Sequence, residues 1–112
     1  MIRHELVASL VRFYLERAGY TGRVRVFTRS ASFERHAKTR HQTLDESDRS
    51  GFAVTIHGRI PMIWVNPEKH TTISQLADTA AHEAAHIVLG LDFPHGRSFD
   101  RRVRRLLRGG VL

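Results

Sequence analysis

The sequence contains no cysteine. Disulfides and thiolate metal sites are therefore both excluded, and any metal bound by this chain must be held by His, Asp or Glu. It also lacks an apolar run near the ~20 residues needed to cross a bilayer. The opening stretch "MIRHELVASLVRFYLERAGY" does not read as a secretory signal, because Glu5, Arg12, Glu16 and Arg17 interrupt it and no small-residue cleavage site follows. The expectation is a cytoplasmic protein with no membrane partner. Lysine is nearly absent, Lys38 and Lys69 being the only two, so the formal net charge of +7 is carried by arginine. The planar guanidinium suits bidentate contact with phosphate, which makes nucleic acid a candidate partner. Arginine-favouring codon usage would produce the same count.

What is present is the balance of a globular chain: 112 residues, 41% hydrophobic and 26% charged, with no internal repeat or low-complexity tract. That length makes one domain, spanning 1–112. Residues 2 to 18 place Ile2, Leu6, Leu10 and Phe13, with Val7 and Tyr14, on one face at helical spacing, and Gly19 is a natural stop. "RVRVFT" alternates in the period-2 manner of a half-buried strand. The polar segment from 30 to 50 has no sustained period and is expected either to hold a short helix or strand of its own or to be a mobile functional loop. "GFAVTIHG" and "IPMIWVN" read as a hairpin of two strands, with Pro61 favouring an edge position for the second. Thr72 or Ser74 can cap a helix on which Ile73, Leu76, Ala77, Ala80, Ala84, Ile87 and Val88 keep a helical period to Gly90. Ser98 can cap a last helix with the stripe Phe99, Val103, Leu106 and Leu107. Arg97, Arg101, Arg102, Arg104, Arg105 and Arg108 cover its remaining surface.

The long helix carries "HEAAH". Residues at i and i+4 of a helix project from one face a turn apart, so His82 and His86 can share one cation. Glu83 then flanks that cation, where a carboxylate can take a proton from water and later deliver it to a leaving amine. This is the logic of H-E-x-x-H. The alternative is an exposed helix with two solvated histidines. Against it stand Ala80, Ala81, Ala84 and Ala85, whose small side chains let other elements lie close.

A catalytic zinc takes three protein ligands and leaves one position open. No Glu follows Glu83, which rules out a downstream helical Glu, and the remaining downstream candidates for the third ligand are Asp92, His95 and Asp100. His95 is favoured, because Pro94 and Gly96 allow a turn to aim it back at the helix. Asp100 is then a candidate partner for a ligand imidazole, or a helix cap. Tyr14, Tyr20, His57 and several arginines are candidates for polarising a substrate carbonyl. His36, His41 and His70 lack ligand spacing and are expected to be solvated, and Trp64 to be core. An edge strand such as "IPMIWVN" could hold an extended substrate by strand addition.

"IWVNP", "HEAAHIVLG" and "HGRSF" together resemble the SprT-like zinc metallopeptidases, over about residues 51 to 108. The resemblance implies zinc bound by His82, His86 and His95, with Glu83 as catalytic acid and base. It also implies proteolysis of proteins associated with DNA. The stretch through HEAAH looks a little like the ImmA/IrrE metallopeptidases as well, but their downstream acidic helical ligand has no Glu here to supply it. The expected fold is α+β and zincin-like: an N-terminal helix, a small mixed or antiparallel sheet, the metal-binding helix and a basic C-terminal helix. The expected function is zinc-dependent hydrolysis of peptide bonds in a protein or peptide substrate. Nucleic acid would be contacted through Arg101, Arg104, Arg105 and Arg108. The rival expectation is a non-enzymatic basic DNA-binding or regulatory protein with a structural metal site. A third is zinc hydrolysis of a non-peptide bond, because the motif places water and not substrate.

Overall fold

The computed structural model describes residues 4–29, 51–54, 60–66, 69–90 and 96–108, with 52–54 described by their backbone alone. The segment 30–50 lies outside the described residues. Within them the chain is a mixed α+β fold of three helices and one three-stranded sheet.

Helix α1, His4–Arg17, buries an arc that runs from Leu10 through Tyr14, Val7 and Val11 to Leu15 and Ala8. This corrects the face expected from the sequence. Leu6 and Phe13 lie at one margin of that arc and are 38% and 36% exposed. The helix carries more apolar residues than one stripe can hold, and the core takes the side bearing Val11 and Leu15. α1 ends by turning left-handed at Gly19, where φ is 91°. The Gly19 N–H reaches the Glu16 carbonyl at 3.0 Å and the Tyr20 N–H reaches that of Leu15 at 2.9 Å, a glycine-terminated Schellman arrangement that satisfies the last carbonyls.

The strands are β1, Arg25–Phe27; β2, Gly51–Val54; and β3, Met62–Val65. Their order is β1-β3-β2, parallel between β1 and β3 and antiparallel between β2 and β3. The expected pairing of the two later strands is therefore found, with Gly51 opposite Val65 and Val54 opposite Met62. The expected edge position of the second is not. β3 is central, and all four of its residues are buried. Pro61 does not prevent this because it precedes the strand and contributes only its carbonyl, which accepts from the Arg25 N–H at 2.9 Å. Ile63 and Val65 join the core formed with the helices, while Met62 and Trp64, out of phase with them, are buried separately.

Helix α2, Ile73–Leu89, starts at a capping box: the Gln75 N–H donates to Thr72 Oγ1 at 3.2 Å and the Thr72 N–H to Gln75 Oε1 at 3.3 Å. Its buried residues are Leu76, Ala77, Ala80, Ala81, Glu83, Ala84 and Ala85, while Ile73 in the first turn is exposed. The alanines let α1 pack along it. Interaxial distance follows side-chain size at the contact, so the small residues bring the HEAAH backbone into the middle of the molecule. It ends at Gly90, where φ is 98°.

Helix α3, Arg97–Leu107, follows Gly96. The cap expected at Ser98 falls inside the helix. Gly96 occupies the cap with no side-chain bond, its carbonyl accepting from the Asp100 N–H at 2.9 Å. Phe99 and Leu106 are buried and pin α3 against α2. Arg17 donates to the Arg108 carbonyl, tying the ends of α1 and α3 together. Among the described residues no helix is long and apolar enough to cross a membrane.

Candidate metal centre

The helical spacing of His82 and His86 brings their rings together. The centroids are 4.7 Å apart at an interplanar angle of 77°, and the two Nε2 atoms are 3.1 Å apart. With a carboxylate oxygen of Glu83 they form a group whose ligand atoms all lie within 4.8 Å of one another. Two nitrogens each about 2.0–2.1 Å from one tetrahedral zinc stand about 3.3–3.4 Å apart, so the imidazoles fit that ion with a shift of a few tenths of an ångström. The same separation accommodates an N–H···N hydrogen bond in the metal-free protein.

Both rings are half-buried, and Glu83 is 4% exposed. The imidazoles are braced by α3. The fully buried ring of Phe99 lies 4.8 Å from that of His82 and 4.7 Å from that of His86, centroid to centroid. A rigid aromatic packed against both rings restricts their χ2 rotation, which a paired ligand set requires.

Beside the histidines opens a cavity of about 340 Å³ lined by Gly51, Asp78, Thr79, His82 and Glu83. Gly51 allows β2 to approach α2 this closely. A Cβ there would stand 3.0 Å from Thr79 Cγ2, 3.1 Å from the Trp64 carbonyl oxygen and 3.2 Å from Glu83 Cγ. The first strand residue after the polar segment thus forms one wall of the cavity and the Glu83 stem another.

The structure brings together His82, Glu83 and His86. His95, the expected third ligand, lies outside the described residues, as do Asp92, His57, His36 and His41. Asp100 is exposed in the first turn of α3, where its charge complements the helix N-terminus. Tyr14 does not reach the cavity. It is fully buried between helices, and its hydroxyl has no hydrogen-bond partner among the described residues. Burial raises its phenol above the ordinary value, Arg17 opposes the rise, and Asp78 adds to it. Tyr20 donates to the Arg23 carbonyl at 2.7 Å and lines a different cavity, of about 320 Å³, with Arg12, Arg23 and Arg25. Trp64 is buried, at 1% exposure, on the face of β3 opposite Ile63 and Val65.

His70 corrects an expectation. It is buried at 5% exposure and not solvated, with Nδ1 2.6 Å from the Asn66 carbonyl oxygen and Nε2 2.7 Å from Thr79 Oγ1. One of its partners is a backbone carbonyl and the other lies on another element, so no spacing rule points to it. Phe99, Gly51 and Thr79 were likewise not legible as site residues. Only the position of Phe99 three residues after Gly96 hinted at a role. On α3, Arg97, Arg101, Arg104 and Arg105 are exposed, as is Arg108 at its C-cap, and Arg102 is half-buried.

Compared with known protein families, with curated proteins and with solved structures, the chain matches none.

Proposed function

We propose that this chain is a zinc-dependent metallopeptidase of the zincin-like, SprT-like kind, with zinc held by His82, His86 and His95. One observation carries the reading: the two Nε2 atoms 3.1 Å apart on one helix face, with the Glu83 carboxylate beside them at a cavity. When bound, zinc supplies a Lewis acid that makes water acidic enough to lose a proton near neutral pH. The chain's own residues do the rest. His82 and His86 provide neutral nitrogen donors, and Phe99 keeps their rings from turning. Glu83 takes the proton as the water oxygen adds to the peptide carbonyl carbon. It returns that proton to the amide nitrogen as the C–N bond breaks.

Substrate would lie along β2, which has a strand partner on one side only among the described residues and borders the cavity through Gly51. This replaces β3 as the strand for backbone addition. The exposed arginines of α3, Arg101, Arg104, Arg105 and Arg108, support a second feature of the reading, association with nucleic acid and action on proteins bound to it. They equally favour the rival, a non-enzymatic DNA-binding protein with a structural metal.

Glu83→Gln separates the two. Under the peptidase reading it removes hydrolysis of a denatured protein substrate at unchanged zinc content, and His95→Ala lowers zinc affinity. Zinc-loaded wild type that hydrolyses nothing, with or without DNA, would leave the structural-metal reading, and hydrolysis that survives Glu83→Gln would remove Glu83 as the acid and base.

A further inference from the structure

We infer that His70 holds the Thr79 hydroxyl as a hydrogen-bond acceptor facing the cavity beside Glu83, where it receives an N–H of a bound peptide backbone. Only the identity of the donor rests on the peptidase reading. For a neutral His70, the acceptor role follows from hydrogen-bond inventory.

A backbone carbonyl can only accept, so the 2.6 Å contact between the Asn66 oxygen and His70 Nδ1 places a proton on Nδ1. A neutral imidazole protonated there has a lone pair at Nε2 and nothing to donate. The 2.7 Å contact from Nε2 to Thr79 Oγ1 is then donated by the threonine hydroxyl. Threonine has one such proton, and it is committed to His70. What Oγ1 retains is acceptor capacity, and no other side-chain hydrogen bond of Thr79 is found among the described residues.

The side chain is held from both directions. Its methyl, Cγ2, faces β2 at the place where a Cβ on Gly51 would stand 3.0 Å away, while its hydroxyl is bonded to a ring that is 5% exposed. Thr79 is half-buried and lines the same cavity as Glu83, four residues on and therefore on the same helix face. A wall that accepts and cannot donate discriminates in favour of N–H groups and against carbonyl oxygens. An extended peptide offers both in alternation, so such a wall fixes which backbone group stands next to Glu83. Thr79 would touch the substrate, and His70 acts through it as a positioning residue.

The test uses Thr79→Val, which keeps the branched shape and removes the hydroxyl, and Thr79→Ser, which restores it. Imidazole ¹⁵N correlation spectra in mildly alkaline solution should show His70 protonated at Nδ1 in the wild type. The Nε2 resonance should move in Thr79→Val and return in Thr79→Ser. On one cleaved peptide and its singly N-methylated analogues, Thr79→Val should lower kcat/KM roughly tenfold on the parent. Thr79→Ser should recover it, and on one analogue the difference between wild type and Thr79→Val should vanish. A proton found on Nε2 instead of Nδ1 overturns the acceptor assignment. A Thr79→Val loss that persists on every analogue overturns the peptide N–H as the donor. Zinc-loaded wild type that cleaves no peptide overturns the peptidase reading and the peptide with it, while the spectra decide the acceptor role independently.

Discussion

Gly51 shows how much of this site depends on single atoms. Its missing side chain leaves room for Thr79 Cγ2, Glu83 Cγ and the Trp64 carbonyl, and the last belongs to the central strand and cannot yield. Gly51→Ala should therefore cost about 1–3 kcal/mol by overpacking and shift Glu83 enough to slow hydrolysis, read as a lower denaturant midpoint and a lower kcat. An unchanged midpoint would mean that β2 can slide away from α2. Tyr14 makes the opposite kind of prediction. Its buried hydroxyl has no partner among the described residues, and leaving such a group unsatisfied costs about 1–3 kcal/mol. Tyr14→Phe should be neutral or stabilising at neutral pH. Because burial raises the folded-state pKa above the unfolded value, the wild type binds more protons folded than unfolded at high pH. That contribution is intact below about pH 10 and is lost as pH rises through the folded value. The stability of wild type relative to Tyr14→Phe should fall there, and a constant difference would argue against it. At this scale the sequence disclosed His82, Glu83 and His86 because their chemistry is local to one helix. It did not disclose His70 or Thr79, whose pairing depends on how the turn after β3 meets α2.

At the scale of elements, the helices were legible and the packing faces only partly so. Periodicity identifies an apolar arc but not which side of it the rest of the chain will cover, which is why Leu6 and Phe13 read as core and are exposed. The same limit applied to β3. A four-residue run with no polar alternation is the mark of a strand covered on both faces, and Pro61 drew the reading toward an edge although it stands outside the ladder. Of the two caps the sequence offered, Thr72 and Ser74, Thr72 takes the role, and Gln75 three residues on completes a capping box. Thr72→Ala should cost about 1 kcal/mol, measured as thermal stability, and no loss would imply that the first turn is held by packing alone. α3 has two separable roles. Phe99→Leu should keep the fold and weaken zinc binding tenfold or more by loosening both imidazoles, in the range that substitutions of groups supporting a metal ligand show. Arg101→Ala and Arg105→Ala should leave zinc binding alone, lower DNA affinity without regard to base sequence, and flatten its salt dependence by about one phosphate contact each. DNA binding that ignores salt would remove α3 as a phosphate-contacting face.

For the molecule as a whole, metal binding at α2 would be linked to folding. α1, the sheet and α3 all pack against the helix that carries HEAAH, so a ligand held by that helix stabilises the common core. Binding to the native state alone adds RT ln(1 + [L]/Kd), about 2.7 kcal/mol at a hundredfold excess over Kd. Zinc should therefore raise the melting temperature of wild type, chelator should reverse the rise, and His82→Ala should abolish it. Whether His82 and His86 are ligands or a solvated pair is read most directly from the zinc content of the purified protein, with His82→Ala and His86→Ala measured alongside. The account predicts about one zinc per wild-type chain and a clear loss in both variants. Wild-type protein never exposed to chelator that holds no stoichiometric metal, and takes up none when zinc is offered, would contradict it.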